Sequence, residues 1–286
     1  MASTKVKRVG VVGSGIMGAG IAEVAAKHGH EVVLRSRRQA TVDATLAALE
    51  RSLTKQVDKG KLEADEKAAT LARVTGTAAM DDLADVDLVI ESVVEDLDTK
   101  KAVFRELDHI CRPETIIATN TSTLPVIELA IETTRPERVC GVHFFNPAAV
   151  MSLVEIVRPL TADDDTIEIV RAFAINCGKD PVEVQDKAGF IVNALLFPYL
   201  NNAVRMLDQG TASLEDIDTA MRGGCNFPMG PFALLDLVGL DTSLSILDAL
   251  YDEFRDPNYA AVPLLRRMVS AGRLGRKSGR GFYDYR

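Results

Sequence analysis

The chain of 286 residues has no tryptophan, only four histidines and four cysteines, and fewer basic than acidic side chains, 33 against 41. Each shortage excludes something. Cys111, Cys140, Cys177 and Cys225 lie far apart with no CxxC pair, so neither a metal site nor a disulfide framework is expected. Reduced thiols fit a cytoplasmic protein. A net charge of −8 argues against nucleic acid as the main partner, which would need a basic face, and a polyanionic ligand would have to be met by a local basic cluster. No apolar run reaches 18 residues, and the N-terminus lacks the basic, apolar and small-residue order of an export signal, so neither membrane insertion nor secretion is expected. Without secretion, the glycosylation sequon Asn120-Thr121-Ser122 has no use.

What remains is an ordinary globular composition, 47% hydrophobic and 26% charged, long enough for two domains. The apolar run Lys7-Arg8-Val9-Gly10-Val11-Val12 stops at Gly13-Ser14-Gly15-Ile16-Met17-Gly18, after which Ile21, Val24 and Ala25 recur at helical spacing. A strand at Glu31 to Leu34 follows, then an amphipathic helix from about Thr41 to Val57. Further strands are expected at Val86 to Ile90, Thr115 to Ala118, Val139 to Phe145, Leu153 to Val157 and Pro181 to Val184, the earlier ones separated by helical patterns. After Asp186 only helices are legible: Gly189 to Gln209, Ser213 to Arg222, Pro231 to Leu237, Asp241 to Phe254 and Pro263 to Ala271. The spacing predicts an α/β chain, a doubly wound, mostly parallel Rossmann-type sheet over 1–187 followed by an all-helical domain over 188–286.

The glycine turn gives the first chemical indication. Gly13, Gly15 and Gly18 suit a tight turn, the close approach of a pyrophosphate and the packing of helix on strand, and the helix N-terminus after them attracts the anion. A GxGxxG alone is a weak signal; a strand before it, a helix after it and a second strand at the right distance make it a dinucleotide site. The end of that second strand reads Leu34-Arg35-Ser36-Arg37-Arg38, where an acid that would hold the adenosine ribose of NAD is absent. Ser36, Arg37 and Arg38 would welcome the 2′-phosphate of NADP(H). The bland alternative is a solvated basic loop.

A base must be sought among four histidines. His28 and His30 flank Gly29 in a turn, and His109 lies in a charged helical stretch. Only His143 leaves a buried-type strand, in His143-Phe144-Phe145-Asn146-Pro147, with Glu155 twelve residues on. Taken singly it would read as a hydrogen-bonded core histidine. Its surroundings favour an imidazole with a carboxylate partner. The strands ending in Glu91-Ser92-Val93-Val94-Glu95 and Asn120-Thr121-Ser122-Thr123 put further polar groups at the sheet's carboxyl edge, where open α/β sheets bind ligands. Ser122 reads either as the cap of a turn beginning at Leu124-Pro125 or as a substrate donor. Lys55 and Lys59, four apart on one helical face with Lys61 just beyond, are either solvated or the basic face a phosphorylated substrate needs. Asn193 is a polar amide in the apolar stretch Gly189 to Leu196 and requires a partner if buried.

Together GSGIMGAGIA, Asn120-Thr121-Ser122, HFFNP, Leu153-Val154-Glu155, GFIVNALL, PMGP at 228–231 and KSGRGFYDY at 277–285 resemble the L-3-hydroxyacyl-CoA dehydrogenases, over essentially the whole chain and in order. The resemblance implies His143 as the catalytic base, Glu155 as its carboxylate partner, and Ser122 and Asn193 as groups that position substrate. It implies dinucleotide contacts from Gly13, Gly15, Ile16, Met17, Gly18, Glu95, Lys100 and Asn120, phosphate contacts to coenzyme A from Lys55 and Lys59, and Asn146 beside the thioester. It also implies NAD(P) as cofactor, acyl-CoA as substrate and a homodimer formed through the second domain. Ser36 departs from the family pattern, which usually shows an acid there. Two other readings stay open: a gulonate-type hydroxy-acid dehydrogenase, which Lys55 and Lys59 disfavour, and a non-catalytic crystallin-like homologue, which the intact base and carboxylate disfavour.

Overall fold

Short apolar segments alternate with amphipathic ones through the first two thirds of the chain, and in the computed structural model, which describes residues 6–286, they alternate as strand and helix. In chain order these are β1 (Arg8–Val12), α1 (Ile16–Lys27), β2 (Glu31–Arg35), α2 (Gln39–Asp58), α3 (Ala64–Ala72), β3 (Val74–Thr77), β4 (Leu88–Glu91), α4 (Leu97–Ile110), β5 (Ile116–Thr119), α5 (Ile127–Ala130), β6 (Val139–Phe144), β7 (Leu153–Arg158), α6 (Asp164–Asn176) and β8 (Asp180–Gln185). The first five residues, on which part of the expectation of no export signal rests, lie outside the described chain. The strands form one sheet in the order β3-β2-β1-β4-β5-β6-β7-β8. The neighbours from β3 through to β6 pair in parallel, β7 runs antiparallel to β6, and β8 runs parallel to β7. The first six strands thus have the 3-2-1-4-5-6 order of a dinucleotide fold, whose strand order reverses between β1 and β4.

The central strands are buried on both faces, which is why they read as continuous apolar runs rather than alternating ones. Their side chains join Ile21, Ala22 and Ala25 of α1 and Ile167, Val170 and Phe173 of α6 in one core. Two elements escape the sequence reading. The edge strand β3, Val-Thr-Gly-Thr, has no apolar run and only one buried residue, so it lacks the pattern that marks the others. Helix α3 is largely exposed, with Thr70 its one buried residue, and is held at its start by a reciprocal Glu63–Glu66 capping box rather than by a buried apolar face.

The chain divides into two compact units, 1–186 and 187–286. The second is helical: α7 (Val192–Asp208), α8 (Leu214–Cys225), α9 (Pro231–Val238), α10 (Leu240–Phe254) and α11 (Pro263–Ser270) surround a core that includes Phe197, Leu200, Phe232, Leu247 and Leu265. The final residues are fastened to it. Asp236 accepts from the backbone amides of Phe282 and Tyr283, and Asp218 accepts from the amides of Phe232 and Ala233 and from the Tyr283 hydroxyl. Among the described residues no helix is long and apolar enough to cross a membrane and no His/Cys/Asp/Glu cluster suits a metal ion. The four cysteines are unpaired. Burial pushes the thiols of Cys111 up to about 11 and of Cys140 and Cys177 up to about 12, so all three are neutral and inert at ordinary pH.

Candidate active site

The turn between β1 and α1 is built around its glycines. Gly13 has φ +114°, a conformation that side chains resist, and a Cβ there would lie 2.3 Å from the Ser92 carbonyl. A Cβ on Gly18 would meet the Gly13 carbonyl, which fixes helix against strand. Gly15 differs: a Cβ on it would meet nothing within 4 Å. Its bareness serves the space outside rather than packing, as a backbone that must closely approach a bound pyrophosphate requires. The turn lines a cavity of about 440 Å³ together with Arg35, Ser36, Arg37, Arg38, Thr41, Ser92, Val93, Val94, Thr99 and Val103. The residues present therefore fit a dinucleotide, whose phosphates the α1 N-terminus would hold. Arg35 is one of these lining residues, and its Nε is buried without a hydrogen-bond partner in the chain. Arg35 was not singled out from the sequence, although it stands one residue before Ser36. The backbone of Ser36 is fixed by the hydrogen bond its amide donates to the Thr77 carbonyl of β3, while Arg37 and Arg38 are exposed. Ile16, 80% exposed at the start of α1, faces another groove, described below, and Met17 packs against the core.

At the carboxyl edge of the sheet, β6 and β7 pair so that His143 stands directly opposite Glu155. Opposed residues in an antiparallel pair project on the same face, which is why a gap of twelve residues brings the two side chains together. His143 Nδ1 is 2.7 Å from Glu155 Oε2, and both are buried, 5% and 0% exposed. The carboxylate offers only lone pairs, so Nδ1 holds the proton and Nε2 is left as the acceptor. Nε2 lies 3.1 Å from Ser122 Oγ. The Phe145 ring packs on the imidazole at 4.5 Å between centroids. The result is an oriented imidazole whose basic nitrogen faces a hydroxyl.

The loop that carries Ser122 is held by carboxylates. Glu95 Oε1 accepts from the Thr121 hydroxyl at 2.5 Å, the Ser122 amide at 2.8 Å and the Thr123 amide at 3.3 Å. Lys100 is only 1% exposed, and its ammonium donates to both oxygens of the fully buried Glu91 and pairs with Glu95 at 3.3 Å. Glu91 in turn accepts from the Val93 amide and the Thr119 hydroxyl. Lys100 thus points into the protein, toward Glu91 and Glu95. Asn120 is also engaged internally, its Oδ1 accepting from the Phe144 amide and tying the ends of β5 and β6. The α5 helix begins at Ile127, and Asp186 takes the Val126 and Ile127 amides, while Thr121 Oγ1 accepts from Leu124. Glu91 and Thr121 were legible in the sequence only as polar groups at strand ends, because a carboxylate or hydroxyl there has no signature of the partner it will hold.

Lys55 and Lys59 lie on the exposed face of α2 and, with Arg51 and Lys61, line an open depression of about 380 Å³. Arg51 was missed, yet it stands four residues before Lys55 and continues the same stripe. The depression shares Ala48, Ser52, Gln56 and Lys61 with a groove of about 610 Å³ that runs between α1 and α2 past Ile16, Gly20 and Glu23 to Asn146, Pro147, Ala148 and Val150. A continuous path therefore leads from the basic face to the loop that follows His143. Asn193 belongs to the second unit, buried in the first turn of α7.

A Rossmann-type sheet with a glycine turn at its switch point and a carboxylate-oriented histidine on its carboxyl edge defines a dinucleotide-dependent oxidoreductase fold. The comparisons make the assignment specific. Residues 8–187 match the model of the 3-hydroxyacyl-CoA dehydrogenase NAD-binding domain, and 189–285 that of the 3-hydroxyacyl-CoA dehydrogenase C-terminal domain. The chain is similar to a 3-hydroxybutyryl-CoA dehydrogenase of Clostridioides difficile, 48% identical over 97% of this chain and 99% of the relative. A 3-hydroxybutyryl-CoA dehydrogenase of Mycobacterium tuberculosis is 47% identical over 99% of this chain and all of its own length. Among solved structures, the (S)-3-hydroxybutyryl-CoA dehydrogenase of Ralstonia eutropha superposes with a TM-score of 0.97 at 44% identity, covering 99% of this chain and 100% of that one. The chain belongs to the 3-hydroxyacyl-CoA dehydrogenase family.

Proposed function

We propose that the protein interconverts (S)-3-hydroxyacyl-CoA, of short chain such as 3-hydroxybutyryl-CoA, and the corresponding 3-oxoacyl-CoA. The observation that carries this reading is the His143–Glu155 pair, with its free-lone-pair nitrogen turned to Ser122, on the same sheet edge as the glycine turn. In the oxidising direction His143 Nε2 takes the proton of the 3-hydroxyl, and Glu155, 2.7 Å from Nδ1, stabilises the imidazolium that results. In the reducing direction His143 returns that proton to the C3 oxygen. Ser122 places the C3 oxygen by hydrogen bonding, with Glu95 holding the serine's backbone, and Asn146 lies beside the thioester. A bound nicotinamide cofactor accepts or supplies the hydride. Burial of His143 and Glu155 keeps water from competing for the proton.

The first domain is of the family's NAD-binding kind. We infer further that Ser36, Arg37 and Arg38, joined by Arg35, turn preference toward NADP(H), because these residues line the cavity and no carboxylate stands at its wall to hold a free ribose. Coenzyme A phosphates would lie on Arg51, Lys55, Lys59 and Lys61, with the pantetheine arm following the groove toward Asn146. Exposed Leu195, Met206, Phe227 and Leu237 in 188–286 support a homodimer formed through that domain. Unpaired thiols support a cytoplasmic location.

Absorbance at 340 nm with acetoacetyl-CoA and reduced cofactor tests the reading. Turnover of the thioester, and none of free 3-oxo or hydroxy acids, supports it. Turnover of free acids alone favours a gulonate-type enzyme, and no turnover at all a non-catalytic homologue.

A further inference from the structure

The connection between β6 and β7, residues 145–152, joins the strand of His143 to the strand of Glu155 and contains Asn146. It also forms one wall of the groove between α1 and α2, through Asn146, Pro147, Ala148 and Val150. Two features hold it. Ala148 packs on α1 where a Cβ on Gly20 would stand 3.1 Å from its own. The other is Lys179, the last residue before β8, whose ammonium donates to the Ala148 carbonyl at 2.6 Å and the Met151 carbonyl at 2.8 Å. Lys179 is 8% exposed. Those two carbonyls are its side-chain partners; no carboxylate among the described residues is paired with it. An ammonium removed from water without a counter-charge is costly, and a sequence rarely retains one where apolar packing would close the loop as well. Burial correspondingly lowers its affinity for the proton.

We propose that Lys179 is a positioning residue for acyl-CoA, setting the wall of the substrate groove by fastening the 145–152 loop from behind. The inference rests on the acyl-CoA reading given above. Lys179 touches neither the cofactor cavity nor the imidazole's hydrogen bonds, so its removal acts on substrate affinity. In Lys179→Met the stem remains and the ammonium goes. The loss of two charge-assisted hydrogen bonds should raise KM for acetoacetyl-CoA about tenfold, with little change in kcat and none in KM for the reduced cofactor. Lys179→Ala leaves a space shaped for propylammonium, and adding that ion should return KM toward the wild-type value.

Amide hydrogen exchange reads the loop without any substrate: faster exchange confined to 148–152 is expected in both variants. If Lys179→Met does not fold, Lys179→Gln, which retains a donor, should show the same effects in weaker form. An unchanged KM with unchanged loop exchange overturns the proposal. So does an equal rise of KM for both substrates with exchange accelerated throughout, which is the mark of a purely structural lysine. If the wild type fails to reduce acetoacetyl-CoA, it is the functional reading that falls, and the exchange data still decide whether Lys179 fastens the loop.

Discussion

Replacing Ser36 with aspartate restores, at the end of β2, the carboxylate that NAD-selecting folds use against the ribose diol, and so tests cofactor choice at one position. In the wild type a 2′-phosphate in the cavity would meet the Ser36 hydroxyl and the guanidiniums of Arg35, Arg37 and Arg38. Hydrogen bonds to charged groups contribute about 1.5–3 kcal/mol when shielded, and exposure reduces them. Arg37 and Arg38 are exposed. A net advantage of about 1.4 kcal/mol, or tenfold, in kcat/KM for NADPH over NADH is therefore expected. In Ser36→Asp the carboxylate repels the phosphate and accepts from the diol, so the ratio should fall by tenfold or more and pass to NADH. The backbone at this position is held to Thr77, so the substitution does not need the strand to move. Initial rates with both reduced cofactors, on wild type and variant, give the ratio. A strong wild-type preference for NADH that Ser36→Asp leaves unaltered would refute the reasoning.

Three further outcomes are expected. Replacing Lys55 and Lys59 together with alanine raises KM for acetoacetyl-CoA with modest change in kcat and flattens the dependence of KM on ionic strength; an unchanged KM at low salt would show that α2 does not meet the phosphates. Lys100→Met leaves Glu91 buried without its cation and loosens Glu95, so kcat and thermal stability should fall together, whereas a pure loss of cofactor affinity would show that Lys100 acts directly on the dinucleotide. Tyr283→Phe removes the hydroxyl bond to Asp218 and should cost about 1.5 kcal/mol of stability near neutral pH. Burial, followed by that bond, raises the Tyr283 pKa above the usual tyrosine value, so its contribution is complete below about pH 10 and is lost as pH rises through the raised value. Melting curves of wild type and variant should converge in that alkaline range, and a gap that stays constant would contradict the assignment.

The parts of the fold that were legible in the sequence are those with a strong period. Buried parallel strands such as β4 and β5 read as unbroken apolar runs, and the five helices of the second unit read from their spacing to within a few residues. What escaped had no such signal: β3 pairs along an edge through backbone alone, and α3 is stabilised by its own cap. The site divides in the same way. His143 could be found because histidine is scarce here, whereas its apposition to Glu155 depends on an antiparallel register that no local pattern announces. The internal partners of Lys100 and Asn120 follow from packing between distant segments. Arg35 and Lys179 carry no motif at all, and only burial and the partners they have or lack bring them to notice.

In the proposed reaction His143, oriented by Glu155, moves the proton of the 3-hydroxyl. The direct measurement is single-turnover reduction of acetoacetyl-CoA by His143→Gln and Glu155→Gln, with cofactor binding followed in parallel by fluorescence of the reduced nicotinamide. Loss of a general acid–base should cost 10²-fold or more, on the order of 10²–10⁴. His143→Gln is expected to lose at least that much, Glu155→Gln less, and both to bind cofactor as the wild type does. A His143→Gln enzyme that retained more than about a tenth of the wild-type rate would show that His143 is not the general acid–base, because such catalysis typically contributes on the order of 10²-fold or more.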